Sequence, residues 1–276
     1  MADRMMVSFG SAGAGMMILV SSSSADIFPE NLAELFHERS RTVVAVEFFV
    51  QGEIERSPFD TAGLVADENG LIVLIDSAVP GWVPVERLKD FRVFIPGEGG
   101  DGYEARYLGR DHVSGWHYLR APSEAVADLI PITRFERVVP GVGDPLWGIG
   151  FLGRDFDHVP YLLDGRLALI QHLPLKIGFC EQLLAVPGGP VFSADGGFAG
   201  WAGNPLTQER VLLMDGRRAT VGLQAVGESG AFLLSDEFFD NLGRIPENPG
   251  DPDPWPGCNR LTGMWPDTSA WLARGR

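Results

Sequence analysis

The chain has 276 residues, of which 45% are apolar, and a formal net charge of −15 at pH 7. Its length fits one large or two small domains with an ordinary hydrophobic core. The negative charge repels phosphate backbones and no long basic run offsets it, so nucleic acid is excluded as an expected partner. The 35 glycines and 20 prolines predict many turns and therefore short strands.

The segment 1–25 is typical of a secretion signal. Arg4 gives a positive start, small apolar residues fill 7–20, and the sequence SSA at 23–25 offers a cleavage site. The apolar run is too short and too rich in Gly and Ser for a stable membrane span. The pattern predicts export to the periplasm or the extracellular space. The alternative is an unstructured amino terminus, because a single arginine is a short basic region.

The first elements after this segment are a helix and three strands. Proline at position 29 suits a first helical turn, and Leu32, Leu35 and Phe36 share one face, which predicts a helix at 29–40. The β-branched and aromatic residues at 42–50 predict a strand. At 63–75, the polar turn DENG separates two further predicted strands.

The rest of the chain continues this pattern of short strands, with a Pro-containing connection at 121–141. Further strands are predicted at 91–95, 103–108, 116–119, 145–152, 161–170, 181–186, 191–201 and 210–214. A second helix is predicted at 235–242, with Ser235 as its N-cap. Many short strands with two helices indicate an all-β fold, either a barrel or a sandwich.

The carboxyl-terminal residues and the cysteines give less information. Residues 246–254 have the Pro-rich composition of a linker, and the segment 255–276 is too short to bury a core alone. Cys180 and Cys258 do not form a disulfide framework, and both a pair and two separate thiols are open. The five histidines lie far apart, so no metal site and no cofactor is predicted.

Six motifs in order resemble the protease domain of HtrA-type (Deg) serine peptidases, a chymotrypsin-like fold of two β-barrels. They are GLIV at 70–73, YLGRD at 107–111, VGDPLWGIG at 142–150, DGRL at 164–167, VPGGPVF at 186–192 and GFAGW at 197–201. The resemblance covers about residues 30–243. It implies a (pseudo)protease domain at 26–245, with barrels at about 41–125 and 140–235.

The three positions of the family's catalytic triad carry unsuitable residues. Its histidine falls on Ser77, its aspartate on Gly115 and its serine nucleophile on Pro187. Proline has neither a hydroxyl nor a backbone N–H, so it removes both the nucleophile and one oxyanion donor. Ala185 and Val186 replace the Gly-Asn that precedes the family's serine. The resemblance therefore implies a protease fold without catalysis.

The leading hypothesis is an exported pseudoprotease that binds peptides or unfolded proteins, or acts as a scaffold. An extended ligand would add a strand to a sheet edge near the former cleft, which needs no catalytic side chain. The residues predicted to form the binding surface are Gly188, Gly189, Phe192 and Trp147, with a core role open for the two aromatic residues. Because HtrA relatives commonly form trimers, the resemblance also implies a possible homo-oligomer.

Two alternatives remain at the level of sequence. One is a serine endopeptidase with a displaced site, in which Ser193 is the nucleophile and His117 the base. His117 lies two residues from Gly115 on a predicted strand, so its side chain is expected on the same face. Outside this alternative, His117 is expected to be a surface residue. The other is a decaying gene fragment, because PWPGCNRL at 254–261 resembles the start of a PDZ domain that 255–276 is too short to complete. Otherwise this truncated PDZ-like segment either docks on the second barrel or is a frayed end.

Overall fold

A computed structural model describes the chain in the following ranges: 29–52, 55–75, 79, 83–111, 114–172, 175–180, 182, 185–203, 210–212, 218–220 and 230–242. Ser77, Cys258, the expected signal peptide, the linker at 246–254 and the PDZ-like segment lie outside the described residues. No helix of the described part is long and apolar enough to cross a membrane.

Seven strands form the first sheet. They are β1 (Val43–Gln51), β2 (Arg56–Val65), β3 (Leu71–Leu74), β4 (Leu88–Phe94), β5 (Tyr103–Glu104), β6 (Arg106–Arg110) and β7 (His117–Arg120). Their order is β5-β4-β1-β2-β3-β7-β6, so β5 and β6 lie at opposite ends of the sheet. Only Ala105 separates these two strands, and its N–H donates to Phe91 O at 2.9 Å. The sheet is therefore almost closed into a barrel.

The second sheet is a closed barrel of six strands. They are β8 (Pro145–Phe151), β9 (Pro160–Gln171), β10 (Ile177–Cys180), β11 (Pro190–Ser193), β12 (Phe198–Ala202) and β15 (Gly230–Leu234), in the order β10-β15-β12-β11-β8-β9. A separate ribbon pairs β13 (Arg210–Leu212) with β14 (Arg218–Thr220). If β5 and β6 are taken as one strand, both barrels have the order 1-2-3-6-5-4. The expectation of an all-β fold with two barrels is confirmed.

The barrels are joined by a hydrophobic layer distinct from either barrel interior. Val44 and Val46 of β1 face the interior of the first barrel, whereas Val43 packs in the layer between the barrels. Leu146 of β8 likewise faces the interior of the second barrel, and Trp147 faces the shared layer. Because both faces are covered, these strands are continuous apolar runs instead of alternating apolar and polar residues.

Within the described ranges, three α-helices accompany the barrels: α1 (Leu32–Arg39), α2 (Ser123–Val126) and α3 (Ser235–Leu242). The first and third confirm the predicted helices, and α2 lies in the connection predicted as loop. The hydroxyl of Ser235 donates to Val138 O at 2.8 Å, so it ties α3 to the segment that precedes the second barrel. Phe238 of α3 packs on Trp116 and Trp201, which places the helix on the shared layer.

The polar turn predicted between β2 and β3 is present. The Asp67 carboxylate accepts hydrogen bonds from the N–H of Asn69 and Leu71, and Gly70 has φ +74°. An aspartate that caps its own turn and a glycine in the left-handed region are the residues such a turn requires.

The strand predicted at 181–186 is wrong. The strand of this region is β10, and residues 182, 185 and 186 lie in bends. A Cβ on Gly178 would lie 2.4 Å from the ring of Phe232, so the glycine lets β15 pack closely against β10. Because a contact with a distant strand requires glycine at position 178, this glycine interrupts the run of apolar residues from which a strand would be predicted.

The shared layer makes a direct prediction about stability. Phe192 is fully buried there, and replacing it with alanine should lower the free energy of unfolding by about 3–5 kcal/mol. The matched control is Phe156→Ala at a side chain that is 62% exposed, with an expected change within about 0.5 kcal/mol. Urea unfolding at equilibrium measures both, and equal losses would contradict the layer as described.

Candidate functional site

The loop at 185–189 is a tight turn held against the first barrel. Gly188 has φ +88°, and a Cβ at this position would lie 2.7 Å from the carbonyl oxygen of Ala62 on β2. Any other residue would therefore meet both backbone strain and a steric clash. The glycine is required because this loop packs against the first barrel.

The backbone N–H groups of residues 186, 188 and 189 are all used within the second barrel and this loop. The N–H of Val186 donates to Ile149 O at 3.4 Å, that of Gly188 to Ala202 O and that of Gly189 to Val186 O, both at 2.8 Å. Pro187 has no N–H. An oxyanion hole needs free N–H groups directed at the reacting oxygen. Residues 186–189 have none.

The acceptors of the glycine pair are used as well. Gly188 O accepts the indole N–H of Trp201 at 2.6 Å, and Gly189 O accepts the N–H of Ala202 at 2.8 Å. Both glycines are buried. The prediction that Gly188 and Gly189 contact a ligand is corrected accordingly: their backbone groups are already paired, and they fix the loop.

Gly115 lies in a turn beside an aromatic pair. It has φ +77°, and its N–H donates to Asp111 O at 2.8 Å. The next residue, Trp116, packs edge-on against Trp201 with ring centroids 4.9 Å apart. Since Trp201 in turn bonds to Gly188, two buried indoles connect the surroundings of Gly115 to the loop of Pro187. The rings of Trp116 and Trp201 thus lie between Gly115 and the loop of Pro187.

The third triad position, Ser77, lies outside the described residues, but the strand that leads to it is described. A Cβ on Gly203 would lie 2.0 Å from Cδ1 of Ile75, two residues before Ser77. The segment that leads to position 77 therefore packs closely on the second barrel.

His117 is buried inside the first barrel. The sequence predicted that its side chain shares a face with Gly115, but Gly115 lies in the turn before β7 and strand alternation does not extend to it. Instead, Nδ1 of His117 is 2.8 Å from the hydroxyl of Tyr107. Burial, with a smaller contribution from Arg110, lowers the pKa of His117 to about 3. The surface position expected for this histidine is wrong.

Ser193 is the last residue of β11 and bonds to the turn that leads to β12. Its hydroxyl donates to Oδ1 of Asp195 at 2.5 Å, and the N–H of Gly197 donates to Ser193 Oγ at 3.0 Å. A Cβ on the adjacent Gly196 would contact Leu35 of α1. The structure does not bring Ser193 and His117 together: one lies beside α1, and the other points into the opposite barrel.

Trp147 and Phe192 are core residues. Neither is exposed, and their ring centroids lie 4.7 Å apart in the layer between the barrels. Phe36 of α1 packs on the far side of Trp147, at 6.4 Å between centroids. The prediction that they contact a ligand is corrected, because they position the strands and do not line an opening.

An open groove of about 320 Å³ lies beside Pro187, between the barrels. The first barrel contributes Asp60, Thr61 and Ala62 of β2, and the second contributes Phe151, Leu152, Gly153, Val186 and Pro187. Among the described residues, β2 pairs with β3 only from Gly63 to Val65, so its segment 56–62 has a partner strand on the β1 side alone. In the described part of the chain, the edge of β2 that borders the groove is therefore unpaired.

A charged cluster joins the barrels next to this groove. Glu47 of β1 bonds to Arg154 at 2.7 Å, and its other carboxylate oxygen is 3.7 Å from Nε2 of His158. Asp157 and His158 both have φ +50°, a conformation that costs about 1–2 kcal/mol per residue for side chains other than glycine. The loop from the second barrel is thus held on Glu47 in a strained conformation.

Sequence reasoning located Pro187 but missed the opposite wall of the groove. Asp60, Leu152 and the Glu47–Arg154 pair carry no motif, and they meet only because β2 and the end of β8 lie on facing barrels. One signal was available: RSPFD at 56–60 places a proline and exposed charges on a strand, a composition that marks edges.

The described part of the chain offers little support for a metal site or a reactive cysteine. It contains no group of three or more His, Cys, Asp or Glu residues arranged to hold a metal ion. Cys180 is buried inside the second barrel, and burial raises the pKa of its thiol to about 12. No family model and no curated protein sequence matches this chain.

The occupied donors predict that restoring the nucleophile will not restore reactivity. Pro187→Ser restores a hydroxyl and an N–H at position 187, but it should remain unlabelled by a fluorophosphonate probe. Ser77 and Gly115 supply no base to activate the hydroxyl, and residues 186, 188 and 189 would still donate their N–H groups within the barrel. Labelling is measured by in-gel fluorescence, with active chymotrypsin as the positive control. Labelling of the Pro187→Ser variant would show that the loop opens an oxyanion site.

The buried histidine predicts a dependence of stability on pH. The pKa of His117 is lower in the folded protein than its ordinary 6.5, so the unfolded state binds the extra proton. The contribution of neutral His117 to the free energy of unfolding is therefore complete above pH 6.5 and is lost as the pH falls toward 3. Between pH 7 and 5, wild type should lose about 1–2 kcal/mol more stability than His117→Gln. Urea titrations at the two pH values measure the free energy of unfolding. Equal losses in wild type and His117→Gln would contradict the burial of this histidine.

Proposed function

We propose that this chain is an inactive homologue of chymotrypsin-like, HtrA-type serine peptidases that binds extended peptides or unfolded proteins beside Pro187. One observation carries the proposal. Val186, Gly188 and Gly189 direct their N–H groups into the second barrel, whereas the adjacent β2 edge has no partner strand in the described residues. The site is thus unsuited to stabilise an oxyanion and suited to pair with a backbone.

The architecture supports the peptidase relationship. Two barrels with one strand order face each other across a hydrophobic layer, and the positions that correspond to the triad serine and aspartate lie in loops at that interface. Pro187 is exposed at the groove, and Gly115 is linked to its loop through Trp116 and Trp201. Fold alone does not determine function, so the proposal depends on the groove.

Strand addition explains how binding works without catalytic groups. An exposed edge presents N–H and C=O groups that an extended chain satisfies, and alternate side chains of that chain then contact the walls. The wall contributed by the second barrel is apolar at Phe151, Leu152 and Val186. Leu152 is 42% exposed, so it is an apolar surface that a ligand covers.

Export and oligomerisation are part of the proposal. The secretion-type segment 1–25 would deliver the chain to the periplasm or beyond, where unfolded proteins are available as ligands. Homo-oligomer formation is implied by the family resemblance only.

Binding is tested with a reduced, carboxymethylated protein as an unfolded ligand. Leu152→Asp should weaken binding about tenfold or more, because a carboxylate would face an apolar wall. The matched control is Leu169→Asp at a leucine that is 44% exposed and outside the groove, where no change is expected. Isothermal titration calorimetry measures each affinity.

Three outcomes separate the proposal from its alternative. Weakened binding in Leu152→Asp alone supports the groove, and equal effects of both variants or no binding by wild type contradict it. A displaced-site endopeptidase predicts instead that wild type cleaves casein and is labelled by a fluorophosphonate, with labelling abolished in Ser193→Ala. The hydrogen bonds of Ser193 within its own turn argue against that result.

A further inference from the structure

We propose that the groove selects a ligand with one lysine or arginine placed opposite Asp60, flanked two residues away by apolar side chains. This inference rests on the proposed strand addition at β2 and specifies which sequences bind. It follows from the register of the sheet, from the charges around Asp60 and from the walls of the groove.

The register fixes the neighbours of Asp60. On one side, Asp60 of β2 lies directly opposite Glu47 of β1. On the other side the edge has no partner among the described residues. A residue that an added strand places opposite Asp60 would have its Cβ about 5 Å from that of Asp60, on the same face of the sheet.

The charges around Asp60 favour a cation there. Two carboxylates directly opposite each other repel, and Arg154 neutralises only Glu47, to which it bonds at 2.7 Å. Within the described ranges, no Lys, Arg or His nitrogen lies within ion-pair distance of Asp60. Asp60 is exposed and lines the groove. A ligand cation would therefore give each of the two facing carboxylates its own counter-charge: the ligand for Asp60 and Arg154 for Glu47.

The apolar walls set the flanking positions. In an extended ligand, residues two places from the basic residue point to the same face. That face also carries Asp60 and Ala62, the latter packed in the layer between the barrels. Facing it are Phe151, Leu152, Val186 and Pro187. Apolar side chains at these ligand positions would cover the wall and exclude water from the ion pair, which strengthens the attraction.

Four fluorescein-labelled decapeptides with blocked termini test the proposal by fluorescence anisotropy. The first has lysine at position 5, valine at positions 3 and 7, and threonine elsewhere. The second and third replace the lysine with glutamine or glutamate, and the fourth replaces both valines with threonine. Wild type is compared with Asp60→Asn and with Asp101→Asn, an exposed aspartate outside the groove that carries the same charge change.

Wild type should bind the lysine peptide about two- to fivefold more tightly than the glutamine peptide, the range for a partly exposed ion pair, and the glutamate peptide more weakly still. Asp60→Asn should remove this preference, and Asp101→Asn should keep it. The preference should shrink at 0.5 M salt, since screening acts on exposed charges. The peptide without valines should bind more weakly than the lysine peptide.

Failure of the inference differs from failure of the proposed function. Binding of the lysine, glutamine and glutamate peptides with equal affinity, or a lysine preference that survives in Asp60→Asn, overturns the role of Asp60 and leaves strand addition standing. Absence of binding by all four peptides and by the unfolded protein overturns both.

Discussion

The hydrophobic layer between the two barrels determines the rest of the structure. Strands β1, β8 and β12 are covered on both faces, by a barrel interior and by this layer. Trp147, Phe192 and Trp201 give the layer most of its bulk, and α1 and α3 close its edge with Phe36 and Phe238. Because interiors are close-packed, the loops that cross this layer have few alternative positions.

This constraint also accounts for the conformation of the loop at 185–189. Gly188 is needed because Ala62 O leaves no room for a Cβ, and its carbonyl anchors the indole of Trp201. Packing and hydrogen bonding thus account for both glycines of this loop. Beside Pro187, residues 56–60 of β2 are exposed or half-buried, and among the described residues this segment has a partner strand on the β1 side alone.

Local signals in the sequence were sufficient for most of the fold. The run at 42–50, the Asp67 turn and both longer helices were predictable, because strand composition, turn chemistry and helix periodicity act within a few residues. β10 was not predictable, because the glycine at position 178 is required by its close contact with Phe232 on β15. Of the candidate site, Pro187 was predictable because it lies in a motif. Asp60 and Leu152 were not, because they lie near Pro187 only through the packing of the two barrels. His117 was misplaced because a turn at Gly115 interrupts the strand period.

Residue-resolved amide hydrogen exchange, with and without an unfolded peptide ligand, tests the central claim most directly. The account predicts that the amides of Gly188 and Gly189 are already protected in the free protein and do not change. Protection on ligand binding should instead appear along the edge of β2, at those amides of residues 57, 59, 60 and 61 that point away from β1, since Pro58 has no N–H. Rapid exchange at Gly188 and Gly189 that slows when the peptide binds would contradict the account, because it would mean that the loop itself receives the ligand.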